Sequence, residues 1–260
     1  LQMIHLSEIN IILIENGMVS ITSYLINELI NNKIKLIFCD EMHNPSGEIM
    51  PYYSSFNTSK KVQNQIKWDE KRKDEVWQQI VKYKIHNQAM LLKKLNIVEY
   101  TKLLEFENEV EIGDKTNREG HAAKVYFNLL FGKDFIRGID DNINVSLDYG
   151  YSILLSTFNK EIVSKGYITQ IGLNHKNEYN QFNLTCDLME TFRPLIDEIV
   201  YNNVDNEFDK KQKYKLIDVL NETIYISEKE QYVANAIPIY IQSVFNMLEN
   251  KESKVLNYEI

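Results

Sequence analysis

Apolar residues follow two different periods along the chain, and the change falls near residue 59. Ahead of it they alternate or run in short bursts. "MIHLSEINIILIEN" alternates and then turns apolar, "MVSITSYLINELINNK" reads as a strand passing into a short helix, and "IKLIFCD" is an apolar run of strand length. "NPSG", Asn44 to Gly47, is a turn cluster, and "EIMPYY" adds one more extended piece. Beyond residue 59 the period is helical. The stretch from Ser59 to Leu95 carries Val62, Ile66, Val76, Ile80, Val81, Ile85, Met90 and Leu91 at near-helical spacing with no Gly or Pro. It predicts a long amphipathic helix with room for one break. Further helices are predicted over 118–131, 143–165, 183–201, 210–221 and 228–251. The pattern is that of an α+β chain, with a small β-rich domain over 1–58 and a larger all-helical domain over 59–260.

Composition narrows the class. Nine glycines and four prolines in 260 residues are too few for a β-sandwich or barrel along the whole length. Cys39 and Cys186 lie far apart with no CxxC, which indicates neither a disulfide framework nor a zinc knuckle and points to a reducing, intracellular compartment. No apolar run reaches the roughly 18 residues of a membrane span, and no basic, apolar leader opens the chain, so a soluble protein is expected. Leu1 enters directly into a strand-like pattern, and the native N-terminus is expected upstream. The net charge of -8 argues mildly against a nucleic-acid partner. Charge is local, however: Lys60 to Lys94 holds ten Lys or Arg against four Asp or Glu. That run is either a solvated helix face or a track for phosphates.

Three stretches carry candidate chemistry. In "TNREGHAAKVYFNLLFG" Glu119 falls on the stripe of Ala123, Tyr126 and Leu130, which aims an acid toward the core. A lone buried carboxylate costs several kcal/mol, so Glu119 is either paired with an arginine, turned to solvent at the helix start, or bound to a metal. In "NLTCDLMETFRPLID" the apolar stripe is Leu184, Leu188, Phe192, Leu195, Ile196 and Ile199, and Glu190 points nearly opposite, flanked by Cys186, Asp187, Arg193 and Pro194. That side is either a solvated polar face or a site. Pro194 inside a helix costs about 3 kcal/mol and predicts a kink. In "IGLNHKNEYNQFN" Gly172 reads as a helix terminator, and His175 precedes the acidic helix. A lone loop histidine is ordinarily without function. Together, though, His175, Glu119, Glu190 and Asp187 offer one nitrogen and two or three oxygens, a set suited to Mg2+ or Mn2+. Without the ion, gathered carboxylates would repel one another and destabilise the protein.

The motifs "NREGHAAKVYFNLLFG", "DDNINVSLDYGYSILLS", "TQIGLNH" and "NQFNLTCDLMETFRPLID", in this order, closely resemble the CRISPR-associated integrase-nuclease, the larger subunit of the spacer-acquisition complex, in a type II-A flavour. The resemblance runs through "MIHLSEI", "LIFCD" and "PYY" at the front. It implies an N-terminal β-sandwich, whose first strands lie upstream of this sequence, and an all-helical catalytic domain. It implies a cytoplasmic prokaryotic enzyme of antiviral defence, a Mg2+- or Mn2+-dependent DNA endonuclease and integrase that joins prespacer 3′-hydroxyls to a CRISPR repeat. Carried onto this chain, the metal and catalytic residues are Glu119, His175 and Glu190, with Asp187 as an auxiliary acid. Arg193, Lys124, Lys60, Lys61 and Lys67 are expected on DNA, Lys124 standing where some relatives have arginine. The implied partners are double-stranded DNA, a second copy of the chain, and a small ferredoxin-like subunit in a four-plus-two assembly. In type II-A systems an effector nuclease and a ring-shaped DNA-end-binding protein join them. The residues alone leave two other functions open: a module that captures DNA ends without chemistry, and a helical scaffold with structural acids.

Overall fold

The computed structural model describes residues 3–41, 44–52, 55–203 and 208–259. The chain divides into two compact units, Leu1–Phe56 and Asn57–Ile260.

In the first unit, strand β1 (Ile11–Ile14) leads through helix α1 (Ser23–Asn31) to β2 (Lys35–Cys39) and β3 (Pro45–Glu48). Helix α1 starts where the Thr22 hydroxyl accepts the Leu25 amide, the ordinary N-cap of a Thr. It is the crossover that lets β1 and β2 run parallel, while β3 returns antiparallel to β2. Leu29, Ile34 and Leu36 form a small core against Leu6, Ile12, Ile26 and Phe38. The described residues form one mixed three-stranded sheet. "NPSG" supplies most of β3 rather than a turn, since Pro45 sits at the first position of a sheet-edge strand, where a missing donor costs nothing. The expected strand ahead of α1 is irregular chain, and past Glu48 no strand continues through Tyr52, the end of that described stretch.

The second unit is helical, as expected, with one addition. The long helix is broken once, into α2 (Thr58–Ile66) and α3 (Glu70–Lys94), and the break is capped by Asp69, which accepts the Arg72 amide. A short α4 (Tyr100–Asn108) buries only Leu103, which is why no apolar period announced it. Next come α5 (Arg118–Phe131), α6 (Asn142–Ser164), α7 (Asn183–Met189), α8 (Arg193–Tyr201) and α9 (Lys210–Asp218). Strands β4 (Thr223–Ile226) and β5 (Lys229–Tyr232) form a hairpin before α10 (Val233–Leu248), and β6 (Tyr258–Glu259) joins β4 on its other edge. The domain is therefore not wholly helical, and α10 starts later than predicted. Its hairpin turns on Ser227 and Glu228, both at positive φ, so the glycine or asparagine that usually marks such a turn is missing.

Helix α3 runs through the middle of this unit, burying Val76, Trp77, Ile80, Val81, Ile85, Leu91 and Leu92 against its neighbours. Helix α6 lies so close to α8 that a Cβ on Gly150 would come within 2.4 Å of Ile196. The last described residues brace the interior: Tyr258 donates to the Thr191 carbonyl (2.9 Å), and Asn257 exchanges side-chain hydrogen bonds with Asn87 of α3. No helix among the described residues is long and apolar enough to cross a membrane, and Cys39 and Cys186 are free thiols.

Candidate metal centre

Four segments deliver the site. Helix α5 begins after Asn117 in the left-handed region, and Asp114 accepts the amides of Arg118 (2.8 Å) and Glu119 (3.0 Å). This fixes the first turn, from which Glu119 points at Lys84 of α3 and pairs with its ammonium. The pairing partner is thus a lysine and not an arginine. Lys84 also lies 2.5 Å from Glu190 Oε2. That oxygen is buried, and Lys84 is its partner, by charge and by hydrogen bond.

Glu190 owes its position to a break that changes the reading of Pro194. The helix predicted over 183–201 is interrupted by a 3-10 turn, Glu190–Phe192, and α8 restarts at Arg193. Pro194 then sits in the first turn of a new helix, where its missing N–H has no partner to lose. Both sides of the segment are buried: Leu184, Leu188 and Phe192 on one, Asp187, Glu190 and Thr191 on the other. A solvated polar face is excluded. Arg193 donates from Nε to Glu190 Oε1 (2.9 Å) and lies over the Tyr151 ring, 4.4 Å from its centroid. Burial pushes the Glu190 carboxyl up, but Arg193 and Lys84 outweigh it and hold the pKa at about 2. For Lys84, burial works against the ammonium, yet Glu190 and Glu119 keep its pKa above the ordinary lysine value.

His175 is held by Asp187. One Asp187 oxygen accepts the His175 amide (3.1 Å) and ring Nδ1 (2.6 Å), and the other accepts the amides of Leu173 (2.6 Å) and Asn174 (3.1 Å). Asp187, at 0% exposure, thus spends both oxygens on the 173–175 loop. A carboxylate that accepts Nδ1–H fixes the ring and leaves Nε2 as the ligating nitrogen. The Asp187 hydrogen bond raises the His175 pKa against burial, and Glu190 and Glu119 add to the rise, which places all three candidates within one electrostatic neighbourhood. Gly172 is no helix terminator, for α6 ends earlier, ahead of Gly166 at φ 85°. A Cβ at Gly172 would meet Asp187 Oδ2 and the His175 carbonyl, both at 2.6 Å.

Among the described residues no three His, Cys, Asp or Glu side chains already stand at metal-binding spacing. The two glutamates close on Lys84 instead. The expected repulsion between gathered acids is offset in this arrangement by the cation that stands between them. The donor chemistry still fits a divalent ion: one imidazole nitrogen and two carboxylates, with a buried Glu190 oxygen whose partner is a cation.

Of the residues expected on DNA, Lys60, Lys67 and Lys124 are exposed. Lys61 pairs with Glu249 (2.6 Å) and donates to Tyr167 (3.0 Å). Much of the basic run is likewise paired: Arg72 with Glu75, Lys73 with Glu70, Lys94 with Glu198. Sequence reasoning missed Lys84, whose only signal was a lysine on the apolar face of α3. It also missed Asp197 of α8, which accepts the hydroxyls of Tyr126 (2.8 Å) and Tyr151.

The sequence profile of the family described as CRISPR associated protein Cas1 matches residues 1–231. The chain belongs to the Cas1 family. It is 32% identical over 257 residues to a CRISPR-associated endonuclease Cas1 of Neisseria meningitidis, covering 96% of this chain and 84% of the relative. Solved structures agree in fold. A casposase bound to integration product superposes with a TM-score of 0.79 at 20% identity, over 95% of this chain and 80% of that one. A CAS1 protein from Thermotoga maritima gives 0.76 at 18% identity, over 96% and 89%. A chain of a Cas6-RT-Cas1–Cas2 complex gives 0.68 at 23%, over 93% of this chain and 31% of that one. The α+β class of this Cas1 family member, with its small N-terminal sheet and larger helical region, is that of these structures.

Proposed function

We propose that this Cas1 family member is a divalent-metal-dependent DNA endonuclease and integrase that joins prespacer 3′-hydroxyls to a CRISPR repeat in a prokaryotic cytoplasm. The observation that supports it most is the meeting of Glu119 and Glu190 beside a histidine clamped by Asp187. Glu119, Glu190 and His175, through Nε2, would hold Mg2+ or Mn2+. Bound there, the ion supplies activation of the attacking hydroxyl and shielding of charge on the phosphoryl oxygens. Asp187 keeps the imidazole in one tautomer. Arg193, braced by Tyr151, keeps Glu190 ionised and presents its guanidinium edge to a phosphate oxygen. Lys60, Lys67 and Lys124 are exposed and would follow the DNA backbone, whereas Lys61 is committed to Glu249.

A Cas6-RT-Cas1–Cas2 complex among the structural neighbours supports a protein partner; the small ferredoxin-like subunit, the second copy of this chain and the four-plus-two assembly follow from the motif resemblance. The type II-A assignment rests on the motif resemblance, and the effector nuclease and ring-shaped end-binding protein follow from it.

A half-site integration assay with the small subunit tests this reading. Strand-transfer product should form with Mn2+ or Mg2+, and vanish with EDTA, with Glu119→Gln, and with 3′-deoxy ends. DNA bound with no product under any metal would instead mark a capture module, and product formed equally in EDTA would end the metal assignment.

A further inference from the structure

The residue that the metal reading leaves unexplained is Lys84. Its side chain is buried in the middle of α3, on the face that otherwise carries Ile80, Val81 and Ile85. Placing an ammonium there is unfavourable unless something compensates for its lost water. The compensation comes from two acids on two separate segments, Glu119 of α5 and Glu190 of the 3-10 turn. These are the same two carboxylates assigned to the ion. Arg193 donates to the other Glu190 oxygen, so the oxygen that a metal would take is the one that Lys84 holds.

We propose that Lys84 is the site's resident counter-cation, an ammonium that holds Glu119 and Glu190 together until a divalent ion displaces it. The inference rests on the assignment of those two residues as ligands. A carboxylate oxygen at coordination distance from a divalent ion, about 2.0–2.2 Å, cannot keep the ammonium at hydrogen-bond distance without two cations repelling each other at close range. Binding therefore becomes an exchange: the ion must break the contacts that the lysine makes. Linkage is reciprocal, so whatever the lysine costs the metal, the metal costs the lysine. The exchange keeps the pocket assembled and its charges balanced before loading, and it lowers the apparent metal affinity.

Two measurements test it. In calorimetric titration, Lys84→Met should bind Mn2+ about 10-fold more tightly than the wild type or better, although its EDTA-treated form should melt several degrees lower. A lysine that only supports the fold would lower the melting point without tightening Mn2+ binding. The second measurement needs no variant. Wild-type protein is labelled with an amine-reactive reagent in EDTA and in Mn2+, and Lys84 and the exposed Lys124 are compared by peptide mass spectrometry. Lys84 should be protected in EDTA and label several-fold faster in Mn2+, with Lys124 unchanged. If Mn2+ binds in a Glu119-dependent manner but leaves Lys84 equally protected, or if Lys84→Met binds Mn2+ no more tightly, the exchange is refuted and the metal site stands. If Glu119→Gln binds Mn2+ as the wild type does, the ligand assignment itself fails and the exchange falls with it.

Discussion

Glu190, in the tight turn ahead of α8, and Asp197, one helical turn into it, are both buried carboxylates, and their surroundings treat negative charge in opposite ways. Around Glu190 stand two cations, Arg193 and Lys84, which hold it ionised with a pKa near 2. Around Asp197 stand hydroxyls: burial pushes its pKa up to about 6, and the hydrogen bonds from Tyr151 and Tyr126 only partly oppose the rise. Burial is equal; the partners differ. A carboxylate that is to meet a metal must be ionised beforehand, and the Glu190 pocket keeps it so over a far wider pH range than the Asp197 pocket does. Tyr151 belongs to both pockets, its ring under Arg193 and its hydroxyl on Asp197, so one pocket positions the other.

This contrast can be broken or sharpened experimentally. The largest effect should come from Glu190→Gln. Losing a partner of a metal-bound histidine costs 10- to 100-fold, and losing a ligand should cost more than about 100-fold in integration. Its melting temperature should also fall by roughly 6–12 °C, from about 3 kcal/mol of lost ion pairing at roughly 2–4 °C per kcal/mol. A variant of unchanged activity would remove Glu190 from the site.

Asp187→Asn should follow, with Mn2+ affinity down by about 10- to 100-fold as an amide, which can also donate, replaces the carboxylate that accepts from the His175 ring. Isothermal titration against wild type checks this, and an affinity within about twofold would show that Asp187 does not set the tautomer.

Asp197→Asn is the counterpart and should melt no lower than wild type at pH 7. The sign follows from the raised pKa. The folded state holds the Asp197 proton more tightly than the unfolded chain, so this group's share of stability is present below about pH 4 and is lost as pH rises through about 6. Glu190, with its depressed pKa, contributes above about pH 4.5 and loses its share as pH falls toward 2. Melting profiles between pH 4 and 7 should therefore be flatter for Asp197→Asn than for wild type. Parallel profiles would mean that the hydroxyls hold Asp197 ionised.

The smallest effect should come from Tyr151→Phe, which keeps the ring beneath Arg193 and removes one hydroxyl from Asp197. Its stability should change by about 1 kcal/mol, with integration nearly intact. A large loss of integration would show that the hydroxyl, rather than the ring, transmits position between the pockets.

The sequence disclosed the elements with strong periods and the residues that break them. Helix α5 has its expected bounds because its stripe of Tyr126 and Leu130 is uninterrupted and Gly132 ends it. Glu119 and Glu190 drew notice because an acid on an apolar stripe, or opposite one, demands an explanation, and His175 because the motif resemblance falls on it. Lys84 was not legible, since its partners lie 35 and 106 positions away and only the folded packing brings them near. Gly172 was misread for a related reason. Its smallness serves Asp187 across a loop, and local pattern cannot distinguish a glycine chosen for a close approach from one chosen to stop a helix. The break at Glu190 was hidden because Pro194 looked like a flaw inside a helix rather than the opening of the next.

The brace formed by Asn257 and Tyr258 also bears on biosynthesis. Tyr258 holds the carbonyl of Thr191, beside Glu190, and Asn257 holds Asn87, one turn along from Lys84. A chain emerging from the ribosome can build α3, α5 and the 173–175 loop in turn, yet the turn that carries Glu190 lacks its support until residue 258 is free of the exit tunnel. The pocket proposed for the ion is thus completed only after every segment that lines it has been made, and a chain cut short before residue 257 should hold Glu190 loosely.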